Sequence, residues 1–232
     1  MNANGGAVID NYGVWNAQDN RYFDGSGLVF NNYGTFVKTG GASGYPGTYF
    51  NGPAFNQTGG VLSVQTGEVT LGGSYSLTNG TLNFGINSPT DNGRLQLGGL
   101  TLGGALSATV SGSFAPAIGD QFGVIGSSAL SGTFSSVNLP AGFSVAYSAG
   151  GVLLNVTGPV PVEILSSQRV GTNFVFQFAT ASGQSYTVQQ NDDLATTNWV
   201  FYTNLIGTGS AIQLQAPATG TPAKRFFRIR EP

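Results

Sequence analysis

Apolar residues along this chain recur at every second position in short runs. Val69/Leu71, Tyr75/Leu77, Leu82/Phe84/Ile86, Leu95/Leu97, Leu100/Leu102, Phe143/Val145/Tyr147 and Val152/Leu154/Val156 all keep that spacing, and each run ends near Gly, Asn or Pro. Helical spacing is nearly absent. Period-2 alternation broken by turn residues predicts many short strands and an all-β chain.

A longer period lies over the short one. FNNYGTFVKTGG (Phe30 to Gly41) has an earlier copy in IDNYGVW (Ile9 to Trp15) and a later one in FNQTGGVLSV from Phe55. Ungapped alignment gives the columns Ile9/Phe30/Phe55, Asp10/Asn31/Asn56 and Gly13/Gly34/Gly59. A hairpin sandwich and a solenoid both suit the strands. The offsets of 21 and 25 residues favour a solenoid, with one coil per repeat. Stacked coils set equivalent side chains about 4.8 Å apart, so Phe would stack on Phe and amide bond to amide. Asp10, Asn31 and Asn56 are therefore expected to form a ladder, and the Gly column to mark a corner with φ > 0. Val61 is placed under Phe36 and Trp15, unless the extra Gly60 bulges the strand and brings Leu62 there. From Gly67 a Gly-apolar-x-Leu-x-Gly beat takes over. Ser107 to Thr157 keeps the strands but loses the repeat, so it reads as the cap of the stack.

Gly158-Pro159-Val160-Pro161-Val162 changes the texture and reads as a stiff linker. It divides the chain into residues 1–158, the repeat domain with its cap, and 159–232, a β-sandwich of immunoglobulin or fibronectin kind. Strands are expected at 163–165, 173–178, 185–190, 199–204, 211–215 and 225–230. Phe174/Phe176/Phe178, Tyr186/Val188, Phe201 and Phe227/Ile229 would form its core. The turn from Asn191 to Thr196 has room for one helical turn.

Composition narrows the function classes. Charged residues are 8% of the chain, against roughly 25% in an ordinary globular protein. Hydrophobic residues still reach 40%, enough for a buried core. A net charge of −2 gives no pull toward nucleic acid or an anionic membrane surface. There is no Cys, so no disulfide, and no His, which removes the commonest general base and metal ligand. No apolar run is long enough to insert into a bilayer. The Met1-Asn-Ala-Asn start has no signal-peptide pattern, and the expectation is a mature fragment of an exported protein.

The repeat text FNNYGTFVKTGG…FNQTGGVLSVQTGEVTLGG resembles the Asn- and Gly-rich repeats of autotransporter-like bacterial surface passengers. GRLQLGGLTLGGALSATV…GVLLNV looks like the segment that closes such stacks, and SGQSYTVQQNDDLATTNWVFYTN…KRFFRIRE is similar to small terminal modules of secreted bacterial proteins. The resemblance implies a right-handed parallel β-solenoid followed by a small antiparallel β-sandwich, secreted or on a bacterial cell surface, with a non-enzymatic role. It brings no catalytic or binding residues with it.

Candidate chemistry is sparse. Asp10, Asp19 and Asp24 are the carboxylates a glycosidic site on the coils would use. Asp10 fits a ladder more simply, and the other two fit turns. Calcium is the metal an oxygen-rich loop would take, with Asp192 and Asp193 as first candidates, yet the full calcium-loop pattern is missing. An Asx-turn or cap is the simpler use of that loop. Tyr12 and Tyr33, flanked by Trp15, would present a platform for sugar rings if they face outward. Trp199 reads as core. Arg228 and Arg230 lie opposite Phe227 and Ile229 by parity. A serine nucleophile would have only Lys38 or Lys224 as base, and neither stands near a serine motif. GGASGYPG and GLTLGG lack the Lys-Ser/Thr ending of a phosphate loop. The expectation is therefore a structural or adhesive segment without catalytic residues or a cofactor. Surface glycans or further copies of the chain would be its partners, and a carbohydrate-binding module and a fibre subunit are the alternatives.

Overall fold

The computed structural model describes residues 6–41, 47–218 and 224–231. Part of the GGASGYPG stretch, residues 42–46, lies outside them. Among the described residues there are strands and no helix.

The strands arrive in triplets. The first coil holds β1 (Val8–Asn11), β2 (Val14–Ala17) and β3 (Tyr22–Asp24). The second holds β4 (Val29–Asn32), β5 (Thr35–Lys38) and β6 (Thr48–Asn51). The third holds β7 (Ala54–Gln57), β8 (Val61–Val64) and β9 (Glu68–Leu71). The fourth holds β10 (Tyr75–Ser76), β11 (Thr81–Ile86) and β12 (Arg94–Thr101). Each strand pairs in parallel with its equivalent one coil on, so three sheets run along the stack. This is the all-β parallel solenoid that the repeat predicts.

The stack outlasts its repeat. β13 (Ala105–Val110) pairs in parallel with β11, β14 (Gln121–Ser131) with β12, and β15 (Ser136–Asn138) with β13. Beyond β14 the pairing turns antiparallel: β17 (Gly151–Val156) runs against β14, and β16 (Phe143–Ser148) pairs antiparallel with β17 at the sheet edge. The closing element is thus a hairpin, much shorter than the expected cap over Ser107 to Thr157.

Side-chain columns hold the coils together. Ile9, Phe30, Phe55 and Tyr75 fall in one register, and Trp15, Phe36, Leu62, Leu82, Leu106 and Val137 in another. Phe30 stacks on Phe55 at 5.5 Å and 4°, and Phe23 on Phe50 at 4.4 Å and 4°. Each fully buried Phe contributes about 1.5–3 kcal/mol by burial alone. Leu62, not Val61, lies under Phe36. The added residue is Gly59, which takes φ +87° in the corner.

The Gly column shifts accordingly to Gly13, Gly34 and Gly60. Its cause is close approach, not the expected positive φ. A Cβ on Gly34 would overlap the Gly13 carbonyl, and one on Gly60 would overlap that of Gly34. Gly80 and Gly104 continue the column by the same contact, and these two also take positive φ, +85° and +63°.

The chain divides into two compact units, with the break between Thr157 and Gly158 and residues 112–118 grouped with the second. The second unit has two antiparallel three-stranded sheets. β18 (Ile164–Val170), β19 (Asn173–Phe178) and β22 (Ile212–Pro217) form one, with β19 central. β20 (Ser185–Asn191), β21 (Val200–Ile206) and β23 (Phe226–Arg230) form the other, with β20 central. Phe176, Phe178, Tyr186, Val188 and Leu214 make the core between them. Phe201 does not join it and is 60% exposed. The pairing of β20 with β21 shifts by a bulge between Val188 and Gln189, which turns Tyr202 inward instead.

Candidate functional site

The corner between β1 and β2 places Tyr12, and the next coil places Tyr33 above it. Their rings lie 4.7 Å apart at 8°, stacked face to face. Tyr12 is 74% exposed and Tyr33 39%, so the pair points outward. Rings stacked along the coil axis show their edges to solvent. They do not lie side by side as a coplanar platform for a row of sugars. Trp15 stands apart from them. It faces the core, edge-on to Phe30 at 5.4 Å and tilted on Phe23 at 5.9 Å. Parity explains this, because Trp15 shares its register with Phe36.

Two amide ladders flank that corner. On the outer face Asn31 Nδ2 donates to Asp10 Oδ1 at 2.8 Å, and Asn56 Nδ2 to Asn31 Oδ1 at 2.9 Å. One residue on, a second ladder faces inward. Asn11 Nδ2 donates to Asn32 Oδ1 at 2.8 Å, and Asn32 Nδ2 to Gln57 Oε1 at 3.0 Å. The same two amides reach main-chain oxygens of Thr35 and Val61 in the adjoining sheet, and Gln57 Nε2 donates to the Gly60 carbonyl. Buried amides are tolerable because every coil offers the next one a partner. The inner ladder is absent from the sequence expectations, although parity with Ile9, Phe30 and Phe55 marks it. A third ladder, Ser63–Asn83–Ser107, joins later coils through bonds of 3.1 and 3.0 Å.

Lys38 is the other inward polar residue that residue type alone misses. It lies two positions after Phe36 on β5 and is fully buried. Its Nζ donates to the Asp19 carbonyl at 2.9 Å, to Asn20 Oδ1 at 3.2 Å and to the Gly40 carbonyl. Burial pushes the amine below its ordinary pKa, and the Asp19 charge opposes that shift.

The remaining candidates have structural partners. Asp19 pairs with Arg21 at 2.7 Å, and Asp24 accepts from Asn51 Nδ2 at 3.0 Å. A surface cavity of about 330 Å³ opens beside them, with Trp15, Asp19, Arg21, Tyr22 and Thr48 in its wall. In the second unit, Asn191 Oδ1 accepts from the Asp193 N–H at 3.0 Å and Asp193 Oδ1 from the Ala195 N–H at 2.9 Å. These are Asx-turns, and Asp193 to Thr196 closes one hydrogen-bonded turn rather than a helix. Asp192 binds Arg225 at 3.3 Å. No cluster of three or more acidic, His or Cys ligands occurs among the described residues. Trp199 is half-buried outside the core and carries the Arg228 guanidinium 4.5 Å above its ring.

Comparison of the chain with protein-family models, curated proteins and solved structures finds no match.

Proposed function

We propose that this chain is a non-enzymatic structural segment of a secreted or cell-surface protein, of the kind autotransporter-like passengers contain. One observation carries the reading: successive coils are fastened in register by main-chain pairing and by three side-chain ladders. Such a stack spaces and stiffens whatever it joins, and it needs no reactive group. Its polar ladders and low charge suit a surface exposed to changing salt, because neutral amide bonds are not screened as ion pairs are.

Surface labelling tests this in the source cells. An antibody against the folded chain is expected to stain intact cells or the medium. Staining only after permeabilisation would overturn the reading.

The outward tyrosines favour a second, glycan-binding reading. A glycan array would support it if binding appears and is lost in Tyr12→Ala. An array with no signal removes it. End-to-end assembly into a fibre has less support, because the two ends differ. β1, β2 and β3 all run parallel at one end, whereas the antiparallel β16 and the short β15 and β10 stand at the other.

A further inference from the structure

We propose that Lys38 and Asn20 join through an isopeptide bond that staples the first coil to the second. The two residues come from different coils, 18 positions apart, yet Lys38 Nζ lies 3.2 Å from Asn20 Oδ1. That places the amine within reach of the amide carbon one bond further on. Lys38 is fully buried, so its amine cannot turn away into solvent. Opposite it in the column stands Ala17, too small to fill the space the lysine chain occupies. Gly41 closes the other side. A Cβ there would overlap both the Asn20 side chain and the Lys38 amine, so only glycine leaves room for the two groups to meet. Holding two reactive groups in contact replaces a bimolecular encounter and supplies much of the barrier reduction.

The chemistry balances without a co-reactant. The Lys38 ammonium first gives one proton to water and so surrenders one of its three hydrogen bonds; the freed lone pair attacks Cγ of Asn20 and forms the new C–N bond. The bond from Cγ to Nδ2 breaks. A proton passes from the attacking nitrogen to the leaving one, and ammonia departs. Burial raises the neutral fraction of the amine, which is the reactive form. The product keeps the carbonyl oxygen of Asn20 and one N–H, so it preserves a hydrogen-bonding centre inside the corner. The first coil, which among the described residues pairs on one side only in each sheet, is then tied covalently to the second.

Intact-mass measurement on the purified full chain reads the bond directly. The expected mass is below the sequence mass by one ammonia. Lys38→Met and Asn20→Ala are expected at their full sequence masses. Trypsin does not cleave after an acylated lysine, so the peptide ending at Arg21 is expected to stay attached to the one carrying Lys38. A chain that shows full sequence mass and cleavage after Lys38, even after long incubation at mildly alkaline pH, overturns the proposal. Loss of ammonia with the two peptides separate overturns it too, since the loss then occurs elsewhere. The wild-type measurement decides the question even if a variant fails to fold.

Discussion

In the first unit every strand up to β15 has a partner one coil away, parallel and in register. In the second, partners run antiparallel and three-stranded sheets face each other across one core. The two units use the same residue types to different effect. Phe30 and Phe55 stack because register sets them over one another. Phe176 and Phe227 meet at 5.4 Å from opposite sheets, and no register relates them. A stack is therefore a chain of neighbour interactions that can open from an end, whereas a sandwich loses its core all at once.

The sharpest way to break this contrast is to remove one ring from each unit. Phe50 lies against Phe23, Phe30, Phe36 and Phe55. Phe50→Ala and Phe178→Ala are each expected to cost about 3–5 kcal/mol. Hydrogen exchange should then differ. In Phe50→Ala, the first coils lose protection while β11 and β12 keep theirs. In Phe178→Ala, both sheets of the sandwich lose it together. Uniform loss across the solenoid would show that the stack is a single cooperative block.

Glycines give the next largest effect. Gly60→Ala pushes a methyl group into the main chain of Tyr33 and Gly34, and a cost of about 3 kcal/mol or more is expected. Gly59→Ala meets open space and bears only its positive φ, which costs about 1–2 kcal/mol. Chemical denaturation of the two variants tests whether close approach or backbone strain governs the column. Equal destabilisation would refute the distinction.

The ladders follow. Asn32→Ala strands the Asn11 donor and the Gln57 acceptor inside the stack, for a loss of about 1–3 kcal/mol. Asn31→Ala removes the equivalent rung of the outer ladder, where water can replace it, and should cost below about 1 kcal/mol. Denaturation midpoints that rank these two in the reverse order would mean that the inner ladder adds specificity without stability.

These pairs also show what could be read in advance. Ile9, Phe30 and Phe55 were legible because parallel register copies residue type from coil to coil. After Ser107 the copying stops but the pairing does not. Val137 still fits the column of Leu82 and Leu106 by size alone, which leaves no textual repeat. Asn11, Asn32, Gln57 and Lys38 were missed for the opposite reason. Polarity suggests an outward side chain, while parity with Phe30 and Phe36 turns all four inward. In the sandwich, alternation found the face of β19 but failed at Phe201, because a bulge spends one residue and alternation cannot count it. The tyrosine column was visible in the text, whereas the face-to-face geometry that denies it a flat platform was not.

The smallest expected effect belongs to the end of the sandwich. Burial raises the Glu231 carboxyl above its ordinary pKa, and a hydrogen bond with Tyr186 partly offsets this. The folded state therefore holds its proton to higher pH than the unfolded chain does. Stability from this group is greatest below the unfolded value of 4.5, falls as pH rises through the raised folded value, and stays low above it. Glu231→Gln fixes the neutral form and keeps an acceptor for the Tyr186 hydroxyl. At neutral pH it should stabilise the second unit by no more than about 0.5 kcal/mol. Below the ordinary carboxylate range the advantage should vanish, since the wild-type group is then protonated in both states. Melting curves of the two chains across that range check the sign. A variant less stable than wild type at neutral pH would mean that the charged carboxylate is the form Tyr186 needs, and that its hydrogen bond outweighs burial at this edge of the sandwich.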